Sequence, residues 1–364
     1  MTISVFVPLN PKYSHTWNLD HNLASIVPVC LSLGHRIMIN TVDESTDLVW
    51  ASTQDVAEWA YDAWTTLSRK PKFVLQIMDL PPWRTGISDG QEKEWGWSRP
   101  LNQTEEYSNR ISTLIRVITT SDLVMSISYY TRKQVIALCH KHDVSIPSLI
   151  VLPISHPSFT DANKLQRDDT TLDWGITIPS VKKHDTFTIV MIGKWQKTKN
   201  HIDALHSVEA FVRKTGVPTR FVCIGDANDL GHMWETFDET VKDIPLEIVR
   251  TDSWIGERVK NDVLASAHAM LCPSTYEGFG VPPGEGLRFG LPVLAAHIEV
   301  TREVYGNLVD YADPRNTDQV AEWLLGVWEG KVTPRTGISS TIQKKYGLES
   351  YIQKVEKILE KLFS

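Results

Sequence analysis

Short apolar runs rich in β-branched residues alternate along this chain with segments whose apolar positions recur at helical spacing. In the first half the runs ISVFVPL, RIMINT, FVLQIM, LVMSIS and LIVLP predict strands, with helices over Asp55–Ser68, Glu105–Thr120 and Thr131–His142. The pattern lapses from Ser158 to His184, where the chain is polar and aperiodic. It restarts with FTIVMIG, a helix from His201, and the runs RFVCIG, LEIVR, AMLCPS, PVLAA and LVDYA. The closing YIQKVEKILEKLFS places its apolar residues on one face of a C-terminal helix. Apolar strands that alternate with helices belong to parallel sheets covered on both faces. The expected fold is α/β, with two Rossmann-like parallel-sheet domains facing a central cleft. Its expected parts are residues 1–157, a linker 158–184, a second domain 185–345, and a helix 346–364 that can pack back on the first domain.

In open parallel sheets, ligands bind beyond the carboxyl ends of the strands, so the loops that follow strands are where chemistry belongs. The segment PSTYEGFGVPPGEGLRFGLPV, residues 273–293, follows the candidate strand AMLCPS. It is dense in Gly and Pro, yet it holds Glu277 and Glu285 with seven residues between them. Pro282 and Pro283 suit the first turn of a helix, which places Glu285 in that turn. Glycines at 278 and 280 let the backbone approach a ligand, and a helix start favours an anion such as phosphate. Carboxylates accept hydrogen bonds from vicinal diols, as on a ribose or hexose. A nucleotide-sugar presents ribose, diphosphate and sugar together. A second constellation, MIGKWQKTKNH, puts Lys194, Lys197 and Lys199 in a strand-to-helix loop, where lysines neutralise a diphosphate.

Charge and cysteine usage narrow the picture further. A formal net charge of −7 over 364 residues argues against an extended non-specific contact with nucleic acid or anionic lipid. Cys30, Cys139, Cys223 and Cys272 are far apart, show no CxxC spacing and sit among apolar residues, which predicts buried reduced thiols rather than a disulfide or metal site. The N-terminus enters a β-like run with no basic leader, and the longest apolar stretches are too short for a bilayer. The expectation is a cytoplasmic chain without a transmembrane segment, with peripheral membrane contact left open.

The segment 273–293 resembles the E-x7-E element of retaining glycosyltransferases of family 4, which have the GT-B fold. The flanking DVLASAHAMLCPS and VTREVYGNLVDYADPRNTDQVAEWL extend the resemblance. GKWQKTKN is similar to that family's G-R-x4-K-G element, with Lys194 where Arg is usual and Asn200 where Gly is usual. SDLVMSISYYTRKQVIAL and VLPISHPSF resemble the end of the family's N-terminal domain, so the second half is covered strongly and the first in outline. The resemblance implies that Glu285 holds the donor ribose and that Glu277 sits by the transferred sugar. It further implies that Gly193, Gly278, Phe279, Gly280 and Val281 line the donor, and that Lys194 and Lys199 clamp the diphosphate. Asp252, in the loop after LEIVR, falls where such enzymes hold the base. The implied chemistry is retaining sugar transfer from a UDP- or GDP-linked donor by front-face attack, with no cofactor and no metal.

Departures from the family pattern gather on the acceptor side. The loop after the first strand reads LNPKYSHTW rather than a Gly-rich turn, and Met78 stands where a His is expected before Asp79. Asp79 is the candidate catalytic residue there, with His15 (or His21) as a partial substitute for the missing imidazole. Trp83, Arg84, Trp95 and Trp97, in the long aromatic segment DLPPWRTGISDGQEKEWGWSRP, are available to stack on a sugar or base. The family implies a glycan or lipid-linked glycan acceptor. A modified base in DNA is the alternative acceptor, and a non-catalytic nucleotide-sugar binding protein is the alternative class.

Overall fold

The computed structural model describes residues 1–7, 26–81, 105–155, 186–225, 243–251, 255–334 and 338–364. The chain divides into two compact units, Met1–Pro157 with Lys344–Ser364, and Ser158–Gln343. The polar stretch read as a linker, 158–184, lies outside the described residues.

Among the described residues, unit 1 contains six parallel strands: β1 (Thr2–Phe6), β2 (Arg36–Ile39), β3 (Leu48–Ala51), β4 (Lys72–Ile77), β5 (Leu123–Ser126) and β6 (Leu149–Val151). Their order across the sheet is β2-β1-β3-β4-β5-β6. Strand β3 is absent from the sequence reading. Its four residues are all buried, but a run that short between polar flanks gives no periodic signal. Successive strand residues enter opposite faces: Val49, Ala51, Phe73 and Leu75 join one apolar cluster, while Leu48, Trp50 and Val74 join the other. Burial on both faces is why these runs are continuously apolar. The second face is closed by Tyr351, Val355 and Leu359 of the C-terminal helix Leu348–Phe363, spaced i, i+4, i+8. That helix thus belongs to unit 1 although it follows unit 2 in the chain.

Unit 2 has strands β7 (Phe187–Ile192), β8 (Thr219–Ile224), β9 (Leu246–Arg250), β10 (Ala269–Cys272), β11 (Val293–Ala296) and β12 (Asp310–Ala312), all parallel. Their order, β12-β11-β10-β7-β8-β9, is that of the dinucleotide-binding fold. The chain moves outward from β7 to β8 and β9, then returns to the other side of β7 for β10. The order therefore reverses between β7 and β10, and a ligand crevice opens at such a point because the following loops diverge. Helices His201–Thr215 and Thr317–Trp328 cover one face, packing Leu205, Val208, Phe211 and Leu324 against Phe187 and Phe221.

All four cysteines are buried and free, as expected. Among the described residues, no helix is long and apolar enough to cross a membrane.

Candidate active site

The two loops at the reversal point of unit 2 are those singled out in the sequence. After β7 the chain runs through Gly193 and Lys194 into a 3-10 turn, Lys197–Lys199, and then the helix His201–Thr215. Asn200 joins the two in a left-handed conformation, φ 60°. This explains the departure from Gly: Asn is among the few residues with a side chain that visit this region readily. Beneath the loop, the rings of Trp195 and His201 stack at 4.1 Å and 20°, both fully buried.

Gly193 and Gly225 set the depth of the loop. A Cβ on Gly225 would lie 1.9 Å from the Gly193 carbonyl oxygen, so the end of β8 tolerates no side chain there. The Lys199 chain lies across Gly193, with Cγ and Cδ each 3.3 Å from where a Cβ would be. Lys199 Nζ donates to Glu277 Oε1 at 2.5 Å, with both side chains mostly buried. The backbones are joined as well, because the Thr275 N–H donates to the Thr198 carbonyl at 2.8 Å. The structure thus brings Lys199 and Glu277, far apart in sequence, into one ion pair spanning the reversal point. Lys194 is exposed on the same loop.

Glu277 is followed by Gly278, Phe279 and Gly280, all buried, and then by Val281 and the helix Pro282–Arg288. Gly280 has φ +80°, a conformation open to Gly and strained for residues with a side chain. The helix begins at the prolines as expected, with Glu285 in its first turn. One expectation is corrected here. The two prolines have no N–H, and the Gly284 N–H is taken by the Val281 carbonyl at 2.9 Å and the Tyr305 hydroxyl at 3.1 Å. The Glu285 N–H donates to the Val281 carbonyl. This seven-residue helix therefore does not present the row of free amides that an anion site requires.

Glu285 itself is buried, its side chain 2% exposed. Its Oε1 accepts from Lys260 Nζ at 2.6 Å, and the same ammonium donates to Glu257 Oε1 at 2.7 Å. Burial pulls the Lys260 pKa down, but Glu285 and Glu257 together carry it above its ordinary value, so the ammonium stays charged. Burial, with Glu277 and Glu285 acting in the same direction, pushes the Cys272 thiol far up, which leaves it protonated and a poor nucleophile. Sequence reasoning missed Lys260 and Tyr305. Lys260 does carry a signal, since it interrupts an apolar stripe of Val259, Val263 and Leu264 on the helix Glu257–Ser266. Tyr305, which donates to the Gly280 carbonyl at 2.5 Å and so pins the loop, has none, because it reads as an ordinary core aromatic.

In unit 1, Asp79 follows β4 and accepts a hydrogen bond from Gln54 Nε2 at 3.1 Å. Gln54 Oε1 accepts from the Met78 N–H at 2.9 Å, so one amide ties the ends of β3 and β4 together. His15, His21, Trp83, Arg84, Trp95, Trp97 and Asp252 lie outside the described residues.

His201 gives the site a pH signature. Burial pushes its imidazole from 6.5 down to about 3, with Lys199 acting the same way and the Gly193 backbone opposing. A depressed folded-state value means the unfolded chain binds the proton more readily. The stability this contributes is complete above about pH 6.5 and is lost as pH falls toward about 3. His201→Phe, which keeps a ring against Trp195, is expected to flatten the decline in melting temperature between about pH 7 and pH 4. A wild-type slope in that variant would assign the decline to other groups.

Residues 176–331, which contain both loops, match the model of the family glycosyl transferases group 1. The fold is that of the GT-B glycosyltransferases. Sucrose-phosphate synthase from Thermosynechococcus elongatus superposes with a TM-score of 0.67 at 11% identity, covering 100% of this chain and 99% of that one. HepE of Anabaena, solved in complex with UDP, gives 0.66 at 11% identity, covering 99% of each. A UDP-forming trehalose-phosphate synthase from Burkholderia xenovorans gives 0.63 at 8% identity, covering 89% of this chain and 75% of that one. Among curated proteins, O-antigen chain mannosyltransferase B of Escherichia coli is 36% identical over 61 residues, which is 17% of this chain and 16% of the relative.

Proposed function

We propose that the protein is a retaining glycosyltransferase that moves a sugar from a nucleotide-diphosphate donor to an acceptor hydroxyl. The observation that carries this reading is the Lys199–Glu277 pair, which joins the loops after β7 and β10 where the strand order of unit 2 reverses. A nucleotide in that crevice would put its diphosphate against Lys199 and Lys194. Glu277 would face the transferred sugar, and Glu285 the ribose. The glycines at 278 and 280 let the loop backbone approach closely.

The barrier is separation of the sugar–phosphate bond, with positive charge growing on the sugar ring and negative charge on the leaving diphosphate. Lysine ammonium groups fixed beside the phosphates stabilise that negative charge without reorganising. Glu277, drawn toward Lys199, is held where its carboxylate meets a sugar hydroxyl or the developing positive charge. The acceptor hydroxyl attacks from the face the diphosphate leaves, and the phosphate takes its proton. Asp79, held by Gln54, is the acceptor-side carboxylate. None of these steps draws on a metal. The UDP in the HepE structure and the sugar-phosphate synthases among the neighbours favour, of the UDP- and GDP-linked donors, the UDP-linked one, and a carbohydrate hydroxyl as acceptor.

Two measurements test the proposal. In a thermal-shift panel of UDP, GDP and ADP, at least one is expected to raise the melting temperature, since a ligand at a hundred times its Kd adds about 2.7 kcal/mol of stability. The matching α-linked donor sugars, incubated with glycan and lipid-linked acceptors, are expected to give an α-linked product by NMR. No binding in the panel sinks the donor site, and a β-linked product sinks retention.

A further inference from the structure

Lys260 occupies a position where packing favours an aliphatic side chain. Its neighbours on the buried face of its helix are Val259, Val263 and Leu264, and its own side chain is 2% exposed. Burying an ammonium there is costly unless carboxylates receive it, and two do. A buried ion pair is a poor device for stability alone, because an apolar pair of similar volume often does as well or better. What it provides is a fixed place for the carboxylate.

The backbone of Glu285 is constrained as well. Its helix starts at Pro282 and is packed tightly on β10: a Cβ on the next residue, Gly286, would lie 2.5 Å from Met270 Sδ. Its N–H is bonded to Val281. Lys260, reaching over from the helix Glu257–Ser266, holds the carboxylate end at Oε1, and Glu257 steadies the ammonium from the same helix.

We propose that Lys260 is a positioning residue for nucleotide recognition: it holds the Glu285 carboxylate aimed at the ribose hydroxyls, and so sets the preference for a ribonucleotide donor. This rests on the reading of Glu285 as the ribose-holding carboxylate. Lys260 acts through Glu285 and not on the substrate. Without it, Glu285 loses the ammonium at its Oε1, and its carboxylate is no longer held for the ribose.

The test uses the full chain and whichever of UDP, GDP and ADP binds best, titrated by calorimetry beside its deoxyribose counterpart. Wild type is expected to prefer the ribonucleotide by about tenfold or more, the worth of a hydrogen bond to a charged group. Lys260→Met is expected to lose most of that ratio, as is Glu285→Gln. The double variant Lys260→Met/Glu285→Gln is expected to match Glu285→Gln alone. A merely structural lysine would weaken both nucleotides equally and leave the ratio unchanged, which overturns the proposal. If wild type binds a nucleotide but does not distinguish ribose from deoxyribose, the reading of Glu285 falls, and this proposal with it. Lys260→Arg keeps the charge while moving the carboxylate, so it serves if Lys260→Met does not fold. Its ratio is expected to fall too, and an unchanged ratio there is equally fatal.

Discussion

Lys199→Ala is expected to lower turnover with the donor sugar by about a hundred- to a thousandfold, equivalent to roughly 2.7–4 kcal/mol of barrier. The effect should fall mainly on kcat. The negative charge on the diphosphate is greatest once the sugar–phosphate bond has stretched, so the ammonium contributes more to the transition state than to the bound donor. The same substitution frees Glu277 from the pair at 2.5 Å, removing the contact that fixes its carboxylate. Lys199→Arg keeps the charge but requires a bulkier head over Gly193, where the lysine chain already lies close. It should recover only part of the loss. Steady-state kinetics on the three proteins decide the matter. A Lys199→Ala enzyme that changes only KM would show that the lysine binds ground state and transition state alike.

Lys260→Met is expected to destabilise unit 2 by about 3–5 kcal/mol, because it leaves the Glu285 carboxylate buried and without its ammonium. Replacing both partners together, as Lys260→Met/Glu285→Leu, should recover most of that loss, since neither charge then needs desolvating. The smaller contact to Glu257, whose side chain is 48% exposed, contributes at most about 1 kcal/mol. Urea unfolding followed by a probe in unit 2 provides the measurement, with the two units treated as separate transitions. A double variant no more stable than the single one would mean that lost packing, not an uncompensated charge, sets the penalty. The double variant should lose ribose preference even where it regains stability, which separates the pair's role in folding from its role in recognition.

Both outcomes depend on pairs that no local pattern announces. The strands of unit 2 were legible because each is an apolar run bounded by Gly, Pro or polar residues. The helices from His201 and Pro282 announced themselves by their spacing and their prolines. β3 was not legible, because four buried residues are too few to show a period. Glu277, Glu285 and Lys199 stood out in the sequence as carboxylates and lysines in loops that follow strands. Their partners did not: Lys260 looks like an irregularity in an amphipathic helix, and Tyr305 looks like core. The helix start between the glutamates was read as an anion site, yet its prolines and the Tyr305 hydroxyl leave it few free donors.

The sequence by itself determined the α/β character, the two sheets, the turn-rich loop between Glu277 and Glu285, and the buried thiols. These follow from periodicity and residue type, which act over a few residues. Only the tertiary structure decided that β10 returns beside β7, so that residues about 80 positions apart, Lys199 and Glu277, form one pair. It alone decided that Glu285 faces a buried lysine from the helix Glu257–Ser266, and that the C-terminal helix closes unit 1. Strand order and helix docking are set by which apolar faces bury one another across the whole chain, and that competition leaves no trace in any short window of sequence.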